Sequence, residues 1–410
     1  MRILHCLHNY HPARGGAEWL MKNISEKLQQ RGHEIRILAT TAHSVEDYFL
    51  PGKGKNLMRP GAEIIDGIPV ERVGFSRRGA GILNLARGAA NRIPLPCGNR
   101  IKMVSWGPRS RSYYRKLLEM NGVDLLAACP LPTMNVRYAW KAAGKKNLPL
   151  IIIPCFHTED RWTFHNPIYF GMLRDAAAVI SLTDWEKSYL RDKAGIPEEK
   201  ICTLGVGIDI EAAGPMPDIR SKYGITQKET VIFLGQHGIH KGIIPLIEAM
   251  EIIWTTHPNT ALIVAGNPTD HTLRIEAKID KLTPENRNNV YLIKGFPEAE
   301  KRSLLRAADV FVSVSPFESF GIVFLEAWRE KLPVIGCRIG GSSKLIDEYK
   351  DGFLVDAGKP RELAAVMIEL LDNEDVRKKM GLAGYEKVKK HFAWDKIVDR
   401  WEKVYHDALH

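Results

Sequence analysis

The residues best suited to chemistry lie in the run Pro316-Phe317-Glu318-Ser319-Phe320-Gly321-Ile322-Val323-Phe324-Leu325-Glu326-Ala327. Two carboxylates stand eight positions apart in it, Glu318 in a loop and Glu326 inside a helix that begins near Gly321. A helix N-terminus offers unpaired N–H groups and the positive end of the helix dipole. Those donors suit phosphate oxygens and sugar hydroxyls. Gly321 lets a ligand approach the backbone closely, and Glu326 can accept hydrogen bonds from two adjacent hydroxyls, as on a ribose. The plainer alternative is a solvated Glu318 and a Glu326 paired with an arginine. A second run, Gly235-Gln236-His237-Gly238-Ile239-His240-Lys241-Gly242, is a glycine-rich loop with one lysine. A third, Pro154-Cys155-Phe156-His157-Thr158, ends an apolar segment on a histidine, and a lone histidine in a loop is structural more often than functional.

Positioning such groups requires strands that end where the loops begin. Met1–Leu7 reads as a buried strand, followed by a loop His11–Gly16, a helix Ala17–Arg31 and a strand Glu34–Thr40. Further apolar runs fit buried strands at Asp124–Ala128, Leu150–Pro154, Ala178–Ser181 and Ile201–Thr203. The pattern then restarts with Thr230–Leu234, the loop Gly235–Gly242 and a helix Ile243–Thr255. Strands follow at Thr260–Ala265, Val290–Lys294, Val310–Ser313, Pro333–Gly336 and Phe353–Val355. Two β-loop-α series predict an α/β protein of two doubly wound domains, with a linker at Gly205–Tyr223 that includes Gly214, Pro215 and Pro217. The expected boundaries are 1–205, 206–385 and a C-terminal helical segment, 386–410, packing back toward the first domain. Ligands of such sheets sit beyond the carboxyl ends of the strands, which predicts a site in the cleft of two facing domains. The segment Phe49–Arg115 resists reading and suggests loops or short helices.

The chain has 410 residues, long enough for two cores, and 45% hydrophobic and 26% charged residues exclude disorder. Its net charge of +10 is uneven: residues 1–205 carry +12 and residues 206–410 carry −2. Between Arg72 and Leu118 there are 11 basic residues and no acidic one. Arg77, Arg78, Arg87, Arg92, Arg100, Arg109 and Arg111 are among them, interleaved with Ile82, Leu83, Leu85, Ile93, Leu95, Ile101, Met103, Val104 and Trp106. Such a stretch fits an anionic acceptor, an anionic membrane surface or a solvated face. No nucleic-acid motif accompanies it, so nucleic acid is not an expected partner. Six scattered cysteines without CxxC or a histidine cluster at ligand spacing predict reduced thiols and no metal. The longest apolar run, Leu148 to Phe156, falls short of the roughly 18 residues a membrane span needs. A cytoplasmic protein, peripheral at most on the inner face of the membrane, is the expectation.

The Glu318–Glu326 segment resembles the E-x7-E motif of family 4 retaining glycosyltransferases, which have the GT-B fold. The resemblance extends through Leu332-Pro333-Val334-Ile335, Gly340-Gly341 and Asp351-Gly352-Phe353-Leu354-Val355. It includes Gly15-Gly16-Ala17-Glu18, Arg31-Gly32-His33-Glu34, Ser181-Leu182-Thr183 and Gly205-Val206-Gly207-Ile208-Asp209. The motifs recur in order over nearly the whole chain, residues 45–120 apart.

The resemblance implies transfer of a sugar from a nucleotide-diphosphate sugar to an acceptor hydroxyl of a glycan or lipid-linked precursor, with retention and without a metal. It implies that Glu318, with the backbone of Ser319, Phe320, Gly321, Ile322 and Val323, holds the donor sugar and phosphate. Glu326 would hold the ribose, Phe296 would lie by the base, and Gly15 and Gly16 would approach the diphosphate. His157 would face the reacting sugar, with His165 and Glu159–Arg161 on the acceptor side. Lys241 would bind the diphosphate and stabilise the leaving nucleotide as it departs on the face that the acceptor attacks. Two positions depart from the family. Gln236 stands where an arginine is usual, so that His237, His240 or another arginine would have to substitute, or the enzyme would be slower or differ in donor. Lys344 stands near a usual glutamate. A nucleotide-sugar epimerase of the same fold and a non-catalytic carbohydrate-binding protein are the alternatives, and a dinucleotide oxidoreductase is disfavoured because neither loop reads GxGxxG.

Overall fold

The computed structural model describes residues 1–13, 15–49, 57–92, 97–211 and 216–410. Ile93, Leu95, Gly214 and Pro215 lie outside them. The chain forms two compact units, Met1–Gly205 with Ile397–His410, and Val206–Lys396.

The first unit holds an eight-stranded sheet in the order β3-β4-β2-β1-β5-β6-β7-β8. Its strands are β1 Arg2–Leu7, β2 Glu34–Thr40, β3 Gly61–Ile65, β4 Ile68–Val73, β5 Leu125–Cys129, β6 Leu150–Ile152, β7 Ala178–Ser181 and β8 Ile201–Thr203. All neighbours pair in parallel except β3 and β4. The central strands are almost wholly buried, as a sheet covered on both faces requires. The β3–β4 hairpin lies in the segment that the sequence left unread. It turns at Asp66-Gly67, where φ is 50° and 80°, the left-handed pair a two-residue hairpin needs. The helices Ala80–Arg92, Gly98–Ser105 and Arg111–Glu119 complete that segment.

The second unit is a six-stranded sheet in the order β11-β10-β9-β12-β13-β14, parallel throughout. Its strands are β9 Glu229–Leu234, β10 Thr260–Gly266, β11 Val290–Lys294, β12 Val310–Ser313, β13 Val334–Cys337 and β14 Gly352–Val355. The helix Ile243–Ile253 buries Ile243, Leu246, Ile247, Met250 and Ile253, the helical spacing of one apolar face. Phe311, Phe324 and Trp328 are fully buried in this unit.

The chain returns to the first unit at Ile397, inside the helix Trp394–Asp407, rather than at 386. The long helix Glu374–His391 stays with the second unit. His5 of β1 explains part of the docking. Its ring lies 2.7 Å from Ser25 Oγ and 3.3 Å from the hydroxyl of Tyr405 on the last helix. Complete burial pushes its pKa down to about 3, so the ring stays neutral. Arg31 adds ion pairs to Asp399 at 2.7 Å and Glu402 at 2.8 Å.

Candidate active site

In the second unit the chain runs from β9 to β11 along one side of the sheet and from β12 to β14 along the other. The direction reverses between the paired strands β9 and β12. Ligands of open α/β sheets bind beyond the carboxyl ends of strands at such a switch point. The loop after β9 is Gly235–Gly242, and the loop after β12 leads to Glu318. Topology thus joins the two runs that the sequence singled out. Lys241 Nζ lies 2.9 Å from Glu318 Oε2, with side chains 21% and 18% exposed. The His240 ring stands edge-on to Phe317, 6.1 Å between centroids.

A glycine pair holds the Glu318 loop in place. Gly341 N–H donates to the Glu318 carbonyl at 2.7 Å, and a Cβ on Gly341 would come within 2.5 Å of the Ser319 carbonyl oxygen. Gly321 caps the helix Ile322–Arg329 with φ of 91°, a left-handed conformation that other residues adopt at a cost. Ile322 and Val323 form the first turn of that helix, and Phe320 beside them is buried. Glu326 is 5% exposed, and its Oε1 lies 2.8 Å from Lys301 Nζ. The plainer reading therefore holds in part, with a lysine in place of the arginine. Burial lowers the Lys301 pKa, but Glu326 and Glu298 outweigh that and raise it, keeping it a cation. Nothing in the sequence flagged Lys301.

The loop after β9 decides which group can replace the missing arginine. Gln236 is exposed. His237 is fully buried, with Nδ1 3.3 Å from Thr272 Oγ1, and its carbonyl accepts a hydrogen bond from Thr269 Oγ1 at 2.6 Å. Burial, with Lys294 nearby, lowers its pKa, so the ring is neutral and turned inward. It does not substitute for an arginine. Arg338, three residues before the Gly341 loop, pairs with Glu348 at 3.0 Å and Asp356 at 3.4 Å. His240 and Lys241 are the basic side chains left on the loop. Phe296 follows Gly295 at the end of β11 and is half-buried, and Lys344 is exposed.

In the first unit the strand direction reverses between β1 and β5. The loop after β1 leads to the helix Gly16–Gln30, whose N-cap is Gly15. A Cβ on Gly15 would meet the Glu18 carboxylate. Gly16 has no positive φ, and a Cβ there would meet no described atom within 4 Å. Among the described residues the local fold thus gives no packing or conformational reason for glycine at 16. Glu18 Oε1 lies 3.1 Å from His8 Nε2. Burial raises the Glu18 pKa, but His8 more than offsets this and holds the carboxyl below its usual range. The Tyr10 hydroxyl and His8 Nδ1 are buried without a hydrogen-bond partner among the described residues.

His157 follows β6, with its ring edge-on to Phe164 at 5.3 Å. Its turn contains Cys155, a non-glycine residue at φ of 49°. One buried carboxylate fixes that turn. Glu186 Oε1 accepts the Phe156 N–H at 2.8 Å, and Oε2 accepts the Leu182 N–H at 2.7 Å. The sequence offered a signal for Glu186 in Thr183-x-x-Glu186, the spacing of a capping box, and Thr183 Oγ1 does accept the Glu186 N–H at 3.1 Å. His165 Nδ1 lies 3.0 Å from the Tyr189 hydroxyl, and Glu159 and Arg161 are exposed.

Two family descriptions match this chain in succession: Glycosyltransferase Family 4 over residues 14–212 and Glycosyl transferases group 1 over residues 215–387. The chain belongs to glycosyltransferase family 4. This glycosyltransferase is 30% identical to the D-inositol 3-phosphate glycosyltransferase of Corynebacterium glutamicum, over 58% of its own length and 59% of the relative's. It is 31% identical to the N-acetyl-alpha-D-glucosaminyl L-malate synthase of Bacillus anthracis, over 47% and 50%. It thus spans between half and three-fifths of these two relatives. The phosphatidyl-myo-inositol mannosyltransferase of Mycobacterium leprae is 24% identical over 95% of this chain and 92% of that one. In fold, the glycosyltransferase is similar to sucrose-phosphate synthase from Thermosynechococcus elongatus, with a TM-score of 0.76 and 18% identity over 99% and 98% of the chains. HepE from Anabaena, solved with UDP and glucose, gives 0.74 and 19% over 99% of both chains. The fold is GT-B, two Rossmann-like α/β domains.

The basic stretch of the glycosyltransferase is less uniform than its sequence. Arg72 is buried and pairs with Glu63. Arg87 lies over the rings of Phe49 and Trp106, at 5.2 and 4.9 Å, and burial lowers its pKa. Arg109 is half-buried, and Arg77 lies over Phe75. Arg78, Arg92, Arg100 and Arg111 are exposed. Met103 is buried and presents no surface for insertion, whereas Ile82 and Leu85 are 74% and 79% exposed. Among the described residues no helix is long and apolar enough to cross a membrane.

Proposed function

We propose that this glycosyltransferase moves a hexose from a nucleoside diphosphate to an acceptor hydroxyl with retention of configuration. The Lys241–Glu318 pair at the β9–β12 switch point carries the reading. Without donor, each group neutralises the other. A bound diphosphate draws the Lys241 ammonium to itself, and the released Glu318 carboxylate accepts hydrogen bonds from the sugar. The exchange keeps both charges partnered, which limits the desolvation that burying either alone would cost. The first-turn N–H groups at Ile322 and Val323 meet phosphate oxygens. His157 orients the transferred sugar. The departing phosphate oxygen takes the acceptor proton as the acceptor attacks from the same face, so no protein nucleophile is needed. Lys241 and the helix N-terminus neutralise the leaving group without a metal, and full activity in chelator is the expected check.

A thermal-shift screen with UDP, GDP, ADP and their sugars tests the donor class, since a ligand of the native state raises Tm according to its affinity. UDP-sugars come first, because HepE was solved with UDP and with UDP-glucose. Product anomers by NMR then test retention, and inversion would refute it. Replacing Glu326 by alanine should weaken nucleotide binding about 10- to 100-fold, the loss of a charged hydrogen bond. Calorimetric titration with an unchanged Kd would remove Glu326 from the ribose site.

The acceptor is a lipid-linked or cell-surface glycan precursor with an anionic group. The excess charge of the first half supports this, as do the inositol phosphate and malate in the relatives' names. Ile82 and Leu85 lie three apart on the helix Ala80–Arg92, between the exposed Arg78 and Arg92, and enter the surface of an anionic bilayer on the cytoplasmic side. Ile82→Ser with Leu85→Ser should reduce flotation with anionic vesicles several-fold. Equal flotation of parent and variant would end the membrane reading.

A further inference from the structure

We propose that His33, Glu402 and His406 form a zinc site that fastens the last helix to the first sheet. One ligand atom from each lies within 4.8 Å of the other two. His33 immediately precedes β2. Glu402 and His406 stand four apart on the helix Trp394–Asp407, which sets them on one face. His33 Nε2 is 2.6 Å from Glu402 Oε1, and the rings of His33 and His406 are 6.0 Å apart at an angle of 66°.

The surroundings hold the ligands in place. Arg31 Nη1 donates to Glu402 Oε2 at 2.8 Å, which directs Oε1 toward His33. A contact of this kind orients a ligating carboxylate. Asp399 offsets the Arg31 charge at 2.7 Å, and the Met1 α-ammonium, 3.3 Å from His33 Nδ1, offsets the Glu402 carboxylate, so these groups are balanced before a metal binds and zinc would have to displace the ammonium from His33. Two imidazole nitrogens and one carboxylate oxygen suit zinc, at about 2.0–2.2 Å from each, with water in the fourth tetrahedral position. The ion would replace the hydrogen between His33 and Glu402. His406 is exposed and has room to swing by the ångström or so that tetrahedral spacing requires.

The site is structural rather than catalytic. His33 stands at the amino end of β2, whereas Gly16 and His157 follow the carboxyl ends of β1 and β6. Sequence spacing hides it, because 369 positions separate His33 from Glu402.

The test uses untagged full-length protein, stripped with chelator and titrated calorimetrically with zinc alone. One equivalent should bind, with a rise in Tm. Cobalt in its place should give the visible bands of a tetrahedral site. His406→Ala should keep the zinc-free Tm of the parent, bind zinc at least about tenfold more weakly and lose the zinc-dependent rise. Binding of well under one equivalent to the parent, or equal affinity in His406→Ala, would overturn the site. None of these readouts depends on the identity of the sugar donor.

Discussion

Replacing Lys241 by alanine should lower kcat about 100- to 1,000-fold and leave the donor KM within a few-fold, the range for removing one preorganised group from a developing anion. The position of the lysine supports so large an effect. It lies at the switch point of the second sheet, 2.9 Å from Glu318, on a loop whose other candidates are weak. Gln236 brings no charge, and His237 is neutral and turned inward. Under the proposed mechanism Lys241 meets most of the charge that gathers on the departing diphosphate, and His240, the other basic side chain left on the loop, sets how far its loss is masked. An effect confined to kcat means that the contact strengthens in the transition state, whereas a raised KM with kcat unchanged means uniform binding. Steady-state rates with saturating acceptor separate the two, and the second outcome would demote Lys241 to donor binding. Lys241→Arg should recover part of the rate. Gln236→Arg in the alanine background should also recover part of it, since it restores a cation to the same loop.

Strands buried on both faces were legible because their apolar runs are continuous: β9, β10 and β12 fall within a residue or so of the expected bounds. The β3–β4 hairpin was not read, although Asp66-Gly67 between Ile65 and Ile68 is a strong turn signal. Its outer strand is exposed, so the apolar alternation that marks a strand is weak there. Glu318 and Glu326 could be picked out because a loop and a helix N-terminus of known chemistry surround them. Lys301 could not, because its role depends on a helix elsewhere in the chain lying beside Glu326. The charge of the Arg72–Leu118 stretch was countable, but its exposure was not. Arg72 and Arg87 pay their charge inward, to Glu63 and to aromatic rings, and composition is blind to direction. For the same reason the inward turn of His237 could not be read from a loop in which two histidines looked equivalent.

Replacing Glu186 by leucine should lower Tm by on the order of 10 °C and slow turnover, while Glu186→Gln should fall between parent and leucine. The carboxylate accepts two backbone N–H groups that leucine would leave buried and unpaired, at about 1–3 kcal/mol each. In a unit of this size each kcal/mol shifts Tm by roughly 2–4 °C. Glutamine offers one carbonyl oxygen to two donors and sets its own N–H₂ against one of them. Burial pushes the Glu186 pKa from the usual 4.5 up to about 7, against the opposing pull of those two N–H groups. The folded protein therefore holds this proton more tightly than the unfolded chain does. The stability that the group contributes is complete below about pH 4.5 and is lost as pH rises through about 7. Melting curves at pH 5.5 and pH 8 should show a drop in the parent that is smaller in Glu186→Gln, which has no proton to lose. Activity follows the same strut. Phe156 precedes His157, and Cys155 before it sits at φ of 49°, so releasing the Phe156 N–H frees a strained turn to relax and carries the imidazole with it. Under the proposed role of His157, Glu186→Gln should lower kcat more than it changes donor affinity and should flatten the pH profile near neutrality. If the variant melts lower but its pH–rate profile matches the parent's, Glu186 supports the fold and has no hold on the transfer.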